Sequence, residues 1–167
     1  LFSALAVKLS SPGPIFFLQE RVGINGKVFR IIKFRTMYVN SEQQGPQLSS
    51  EGDPRITPIG RFMRKTRLDE FPQFINVLRG EMSFVGPRPE RPEFISKLAR
   101  ALPYYQERHM IQPGLTGWAQ VCYPYGSSVE DSARKLEYDL YYLKHAGVVF
   151  DFLILLDTIR VVLGGGL

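Results

Sequence analysis

Two adjacent acids behind a row of cations carry the strongest chemical signal in the sequence. In Arg64-Lys65-Thr66-Arg67-Leu68-Asp69-Glu70 the carboxylates directly follow three basic residues. A carboxylate beside cations stays ionised at neutral pH, so it can act as a nucleophile or a metal ligand. Neighbouring acids can also divide the labour, one attacking and one holding a hard cation such as Mg2+. Phe71, Phe74, Ile75 and Leu78 recur downstream at helical spacing and Gly80 supplies a stop, which places the acids at an expected helix N-terminus, where backbone N–H groups favour phosphate. Plain capping is the commoner reason for acids at such a position.

Three further strings offer groups for an anionic substrate. In Gly86-Pro87-Arg88-Pro89, flanking prolines fix the backbone that presents Arg88, so its guanidinium can grip a phosphate bidentately at little ordering cost. A rigid turn with a solvent-facing arginine is the bland alternative. In Lys33-Phe34-Arg35-Thr36-Met37, a strand would turn Lys33 and Arg35 to one face, matching a diphosphate, and Phe34 into the core. The segment Tyr105 to Trp118 adds Arg108 and the turn Pro113-Gly114-Leu115-Thr116-Gly117. Its aromatic rings suit a nucleobase or a lipid interface, although such rings more often belong to the core.

These groups need a frame, and the sequence predicts a mixed α/β one: a small β-hairpin or sheet with several helices around it. The opening apolar stretch to Leu9 reads as a helix ended by Ser10-Ser11-Pro12-Gly13-Pro14. Two apolar runs around Asn25-Gly26 read as a hairpin. Residues 40–58 read as a loop, 59–67 as a short basic helix, and a second helix starts near Asp69. The stretch 83–94 reads as a stiff turn, followed by a helix from about Glu90 to Ala101. Ile111 to Val121 reads as loop then strand, and 128–145 as a helix with acids first and Lys144 and His145 last. The final apolar stretch, interrupted by Asp151, Asp157 and Arg160, reads as an amphipathic helix on a membrane or a partner, or a buried core helix.

The chain has 167 residues, enough for one domain with a real core. Its 21 basic and 16 acidic residues leave a charge of +5, clustered at Arg21–Arg35 and Arg55–Arg67. Such clusters suit phosphate, anionic lipid or nucleic acid, or simply a solvated face. Cys122 is the single cysteine, so no internal disulfide forms, and with His109 and His145 it falls short of a four-ligand zinc site. The sequence has no P-loop and no GxGxxG. No apolar run reaches the ~20 residues of a spanning helix.

Taken together and in this order, SSPGPIFFLQERVG, KFRTM, DPRITPIGRFMRKTRLDEFPQFINVLRGEMSFVGPRP and PGLTGWAQV resemble the bacterial sugar transferase family, the monotopic polyprenyl-phosphate phosphoglycosyl transferases, over nearly the whole chain. The resemblance is to the larger, exopolysaccharide-type members. It implies transfer of a sugar-1-phosphate from a UDP-sugar to polyprenyl (undecaprenyl) phosphate with release of UMP. It assigns Asp69 as the nucleophile that carries the phosphosugar and Glu70 as the Mg2+ ligand, with Asp69 beside it at the metal. Arg88 and Arg64 match phosphate-binding residues, and Lys33, Arg35 and Arg108 are expected to assist them. The resemblance also implies membrane lipid as a partner, the cytoplasmic face of the bacterial inner membrane as the location, and no nucleic acid; a homodimer is left open. Residues 1–10 are expected to be the remnant of an N-terminal re-entrant membrane helix, and 11–167 the catalytic domain.

Two alternatives stand beside this reading. A Mg2+-dependent hydrolase of nucleotide sugars or lipid phosphates would use the same acids and arginines with water as the acceptor. A non-enzymatic basic scaffold, bound to membrane or nucleic acid, would be indifferent to Asp69→Asn and strongly salt-sensitive.

Overall fold

The computed structural model of the protein describes residues 2–41, 52–124, 126 and 128–164. Most of the expected 40–58 loop lies outside them. Helix α1 (Phe2–Ser10) ends at the predicted breaker cluster. Strands β1 (Phe16–Val22) and β2 (Val28–Phe34) pair antiparallel, from Val22↔Val28 to Phe16↔Phe34. The hairpin closes as its sequence dictates. Asn25 (φ 53°) and Gly26 (φ 76°) both take the left-handed backbone these residues tolerate, and Lys27 N–H donates to the Ile24 carbonyl at 3.1 Å.

Thr57 caps α2 (Pro58–Lys65) by accepting from Gly60 N–H at 2.9 Å, with Pro58 at the first helical position. The expected helix from Asp69 is corrected. Arg67 turns the chain with φ 57°, Leu68–Gln73 form a 3-10 turn, and α3 (Phe74–Leu78) begins only after it. Pro72 explains the delay, because it lacks an N–H and its ring clashes inside an α-helix. The predicted apolar stripe faces outward: Leu78 is 88% exposed, and Phe71, Phe74 and Ile75 are exposed with it.

What pins this segment is polar. Asn76 is 0% exposed. Its Oδ1 accepts from Ile32 N–H at 3.0 Å, and its Nδ2 donates to the Arg30 carbonyl at 2.8 Å and to Glu81 Oε2 at 2.7 Å. The amide thereby pairs with the outer edge of β2, so no backbone polar group of that edge is orphaned there.

Strand β3 (Ser83–Val85) lies within the stretch read as a turn and pairs parallel with β4 (Gly114–Thr116). Helix α4 (Pro92–Ala101) follows the proline-rich string. The strand expected to run on through Val121 is corrected: β4 stops at Thr116, and Trp118–Cys122 form α5. The short partner β3 offers pairing only from Ser83 to Val85, and Trp118 is instead drawn into a cluster with Phe150, ring centroids 5.2 Å apart. Helix α6 (Val129–His145) starts with a reciprocal Ser128–Asp131 capping box. Helix α7 (Val148–Leu163) buries Ile154 completely and leaves Val148, Phe152, Ile159 and Leu163 exposed.

The core is split in two. Phe29, Ile31 and Met82 pack under the hairpin. Val85, Tyr142 and Ile154 pack where β3, α6 and α7 meet. The parallel pair between them depends on bare backbone. A Cβ on Gly114 would lie 2.1 Å from Gly86 N and 2.5 Å from its carbonyl oxygen. Gly114→Ala is therefore expected to cost about 1–3 kcal/mol. At roughly 2–4 °C per kcal/mol, calorimetry should register a clear fall in Tm; an unchanged Tm would refute the close approach.

Candidate active site

The carboxylates sit where the hairpin, the 3-10 turn and the parallel pair converge. Lys33 arrives near the end of β2, and Asn76 holds the segment carrying Asp69 and Glu70 against that strand. Both acids are buried, at 7% and 8% exposure. Arg88 comes from the loop after β3. Val22 N–H donates to the Glu90 carbonyl at 2.9 Å, and Arg21 Nη1 donates to the Pro89 carbonyl at 2.8 Å. These two bonds fasten the Pro87-Arg88-Pro89 string to the hairpin.

Glu70 Oε1 accepts from Lys33 Nζ at 2.8 Å and from Arg88 Nη2 at 2.7 Å. Burial alone would raise the Glu70 carboxyl, but Arg88 and Lys33 outweigh it and hold it well below the ordinary carboxylate range. Glu70 in turn raises Arg88 above its usual value. Burial lowers Lys33, with Glu70 opposing. Asp69 has the opposite balance. Burial first, and the Glu70 charge second, raise its carboxyl above the usual value, against the pull of Lys33, Arg64 and Arg88. Its Oδ1 is buried without a hydrogen-bond partner. One acid is thus a locked anion, and its neighbour is a more basic, less satisfied carboxylate; such a split separates chemical roles.

The same arrangement fits a hard divalent cation. Asp69 Oδ1 is an acceptor with nothing to accept, adjacent to a second carboxylate. Mg2+ takes one or two carboxylates and completes its shell with phosphate and water oxygens. Among the described residues no group of three or more His, Cys, Asp or Glu could hold a metal, so a cation here would depend on substrate oxygens.

A cavity of about 320 Å³ opens beside Arg88, between α4, α5 and α6. Its lining includes Arg21, Arg67, Arg88, Lys97, Arg108 and Lys135 against Glu90 and Asp139, with Phe94 and Tyr123 on its walls. The size suits a small-molecule site, and the charge suits an anion.

The bacterial sugar transferase family model matches residues 1–165. The chain belongs to this family. It is 48% identical over 165 residues to the UDP-N-acetylgalactosamine-undecaprenyl-phosphate N-acetylgalactosaminephosphotransferase of Aeromonas hydrophila, covering 99% of this chain and 39% of that protein. It is 44% identical over 158 residues to the UDP-glucose:undecaprenyl-phosphate glucose-1-phosphate transferase of Escherichia coli K12, covering 93% of this chain and 34% of the relative. It is also 44% identical over 163 residues to the undecaprenyl-phosphate glucose phosphotransferase of Komagataeibacter xylinus, covering 94% and 31%. The chain therefore spans about a third of these curated relatives, at 39%, 34% and 31% of their lengths.

Within this member of the family, the structure gathers Lys33, Asp69, Glu70 and Arg88 directly. Arg64 joins them more loosely: its Nε donates to Thr36 Oγ1 at 2.9 Å, and its charge acts on Asp69. Arg35 does not join them. Strand β2 ends at Phe34, and the Arg35 guanidinium is buried against the breaker loop, donating to the Pro14 carbonyl at 2.6 Å and to Ser11 Oγ and Ser11 carbonyl at 2.6 and 2.8 Å. Phe34 is half-buried and stacks on Phe16 at 5.5 Å rather than entering the core. Arg108 reaches the cavity wall with its guanidinium already engaged. Its Nη2 donates to Asp139 Oδ2 at 2.7 Å and to the Arg88 carbonyl at 2.8 Å, and its Nη1 to Tyr105 Oη at 2.9 Å. Its guanidinium thus touches the Arg88 backbone as well as the cavity. Trp118 packs with Tyr138 and Phe150 and does not line the cavity.

The sequence reading missed Asn76, Arg21 and Asp139. Asp139 carried a usable signal: Leu136, Asp139 and Tyr142 share one helical stripe, and all three are buried. An acid on a core-facing stripe requires a partner. Asn76 and Arg21 gave no such signal, because the partners that matter here, the β2 backbone for Asn76 and the Pro89 carbonyl for Arg21, are brought together only by folding.

Proposed function

We propose that the chain transfers a sugar-1-phosphate from a UDP-sugar to undecaprenyl phosphate through a covalent intermediate on Asp69. The opposed environments of the two acids carry this reading: Glu70 clamped by Lys33 and Arg88, and Asp69 more basic and unsatisfied, beside a cationic cavity. The named relatives act on UDP-sugars and undecaprenyl phosphate, which supports the same substrate classes here.

An Asp69 oxygen attacks the β-phosphorus of the donor. The bond from that phosphorus to the bridging oxygen breaks, and its electron pair leaves with UMP. Arg88 stabilises the oxygens that gain charge. A phosphate oxygen of the lipid then attacks the same phosphorus, and the Asp69 carboxylate leaves, giving the lipid diphosphosugar in a two-step, ping-pong sequence. Asp69 and Glu70 would hold Mg2+, which neutralises diphosphate charge when bound. Burial excludes water from the acyl phosphate.

No helix among the described residues is long and apolar enough to cross a membrane. The outward apolar residues of α1, α3 and α7, such as Phe2, Leu78 and Val148, suit contact with the acyl boundary of a membrane, at the cytoplasmic face where nucleotide sugars are available.

The test is the nucleotide released from Mg2+, undecaprenyl phosphate and a panel of UDP-sugars. Lipid-dependent UMP is expected. UDP release would mean ordinary glycosyl transfer, and UMP released without lipid over many turnovers, beyond a single burst, would mean hydrolysis. Arg88→Ala removes a charged hydrogen-bond donor and should raise the donor KM about 10- to 100-fold. An unchanged KM would remove Arg88 from the substrate.

A further inference from the structure

We propose that Arg67 is a second phosphate-binding residue of the site, acting from the cavity it shares with Arg88. The inference rests on the transferase reading above and extends it to a residue that reading does not use.

The cavity holds six cations against two acids, and most of the cations are committed to the protein. Arg108 is paired with Asp139, and Arg88 with Glu70. Arg21 donates to the Pro89 carbonyl and Gln19, and Lys135 to the Gly126 carbonyl. The side chains of Arg67 and Lys97 make no hydrogen bond or ion pair with any described residue. Lys97 lies on α4, away from the acids in sequence. Arg67 lies two residues before Asp69, on the turn that delivers it.

The Arg67 backbone gives a second, independent reason. Its φ of 57° is left-handed, where an L side chain is disfavoured and Gly or Asn would be accommodated more easily. The turn itself needs only that backbone: Arg67 N–H donates to the Arg64 carbonyl, and the Arg67 carbonyl accepts from Glu70 N–H, both at 3.2 Å. Folding therefore gives no reason for an arginine here, whereas an unpaired guanidinium on the wall of an anion cavity does. Its planar fork matches phosphate oxygens. The reaction brings two kinds of phosphate to this place, the diphosphate of the donor and the monophosphate of the lipid acceptor.

The variants Arg67→Asn and Arg67→Gly remove the charge and keep or ease the left-handed turn, whereas Arg67→Lys keeps the charge without the fork. Asn and Gly are expected to preserve or raise Tm while raising one KM about tenfold or more, with Lys intermediate. If the phosphate belongs to the donor, donor KM rises and the burst of UMP formed without lipid slows. If it belongs to the acceptor, that burst is unchanged and the lipid KM rises. Wild-type values of both KM in the Asn and Gly variants overturn the inference while the transferase reading stands. A wild-type enzyme with no lipid-dependent UMP release overturns that reading, and this inference with it.

Discussion

Asp69→Asn is expected to abolish lipid-dependent UMP release and at the same time to raise the thermal midpoint of the fold. The loss follows from chemistry: an amide cannot form the acyl phosphate, and removal of a nucleophile costs roughly 10⁴-fold or more. The gain follows from linkage. The Asp69 pKa is raised in the folded state, by burial first and by Glu70 second. A group raised in this way contributes stability that is fully present below its unfolded pKa and is lost as pH rises through the folded value. At neutral pH the ionised carboxylate is thus a net cost that Asn removes. Each kcal/mol recovered should raise Tm by roughly 2–4 °C. The difference between variant and wild type should shrink as pH falls through the raised folded value and be gone below about 4, where the unfolded aspartate also protonates. Calorimetry across pH, with UMP release on the same preparations, checks both parts. An active variant would end the nucleophile assignment. A lower Tm at neutral pH would show that the cations around Asp69 outweigh its burial.

The fold was legible wherever local physics decides it. Asn25-Gly26 specifies its hairpin, Ser128 and Asp131 their capping box, and Pro12-Gly13-Pro14 the end of α1, each through backbone preferences acting over a few residues. Periodicity located α3 but could not tell its direction. A stripe of Phe71, Phe74, Ile75 and Leu78 has the same spacing whether it faces a core or an apolar medium, and here it faces outward. The site shows the same division. Asp69, Glu70 and Arg88 were visible because their chemistry is written in short strings. Lys33 and Arg35 looked equivalent, two residues apart on one expected strand face. The strand ends between them at Phe34, which sends Lys33 to Glu70 and Arg35 to Ser11.

The second large effect is expected at Asp139. This residue is 2% exposed and Arg108 is 7% exposed, so Asp139→Asn leaves a guanidinium buried without its counter-charge. Burial works against the Arg108 charge, and Asp139 and Tyr105 hold its pKa above the usual value. Breaking one side of such a pair costs about 3–5 kcal/mol, which at roughly 2–4 °C per kcal/mol is a large fall in Tm. A fall in stability alone would not separate a core ion pair from a functional one. The separation comes from replacing both partners. Arg108→Met with Asp139→Leu removes both buried charges, and such exchanges are often neutral or stabilising. The double variant should therefore recover most of the lost Tm. It still lacks the N–H that Arg108 donates to the Arg88 carbonyl at 2.8 Å. The Pro87-Arg88-Pro89 backbone would then be held by Arg21 and Val22 from the hairpin side and by Gly114 N–H on the Pro87 carbonyl at 3.0 Å. Recovery of Tm with a donor KM that stays raised would place Arg108 in the positioning of Arg88. Recovery of both would make the pair a structural element of the core and leave Arg88 oriented by its prolines, the hairpin and Gly114.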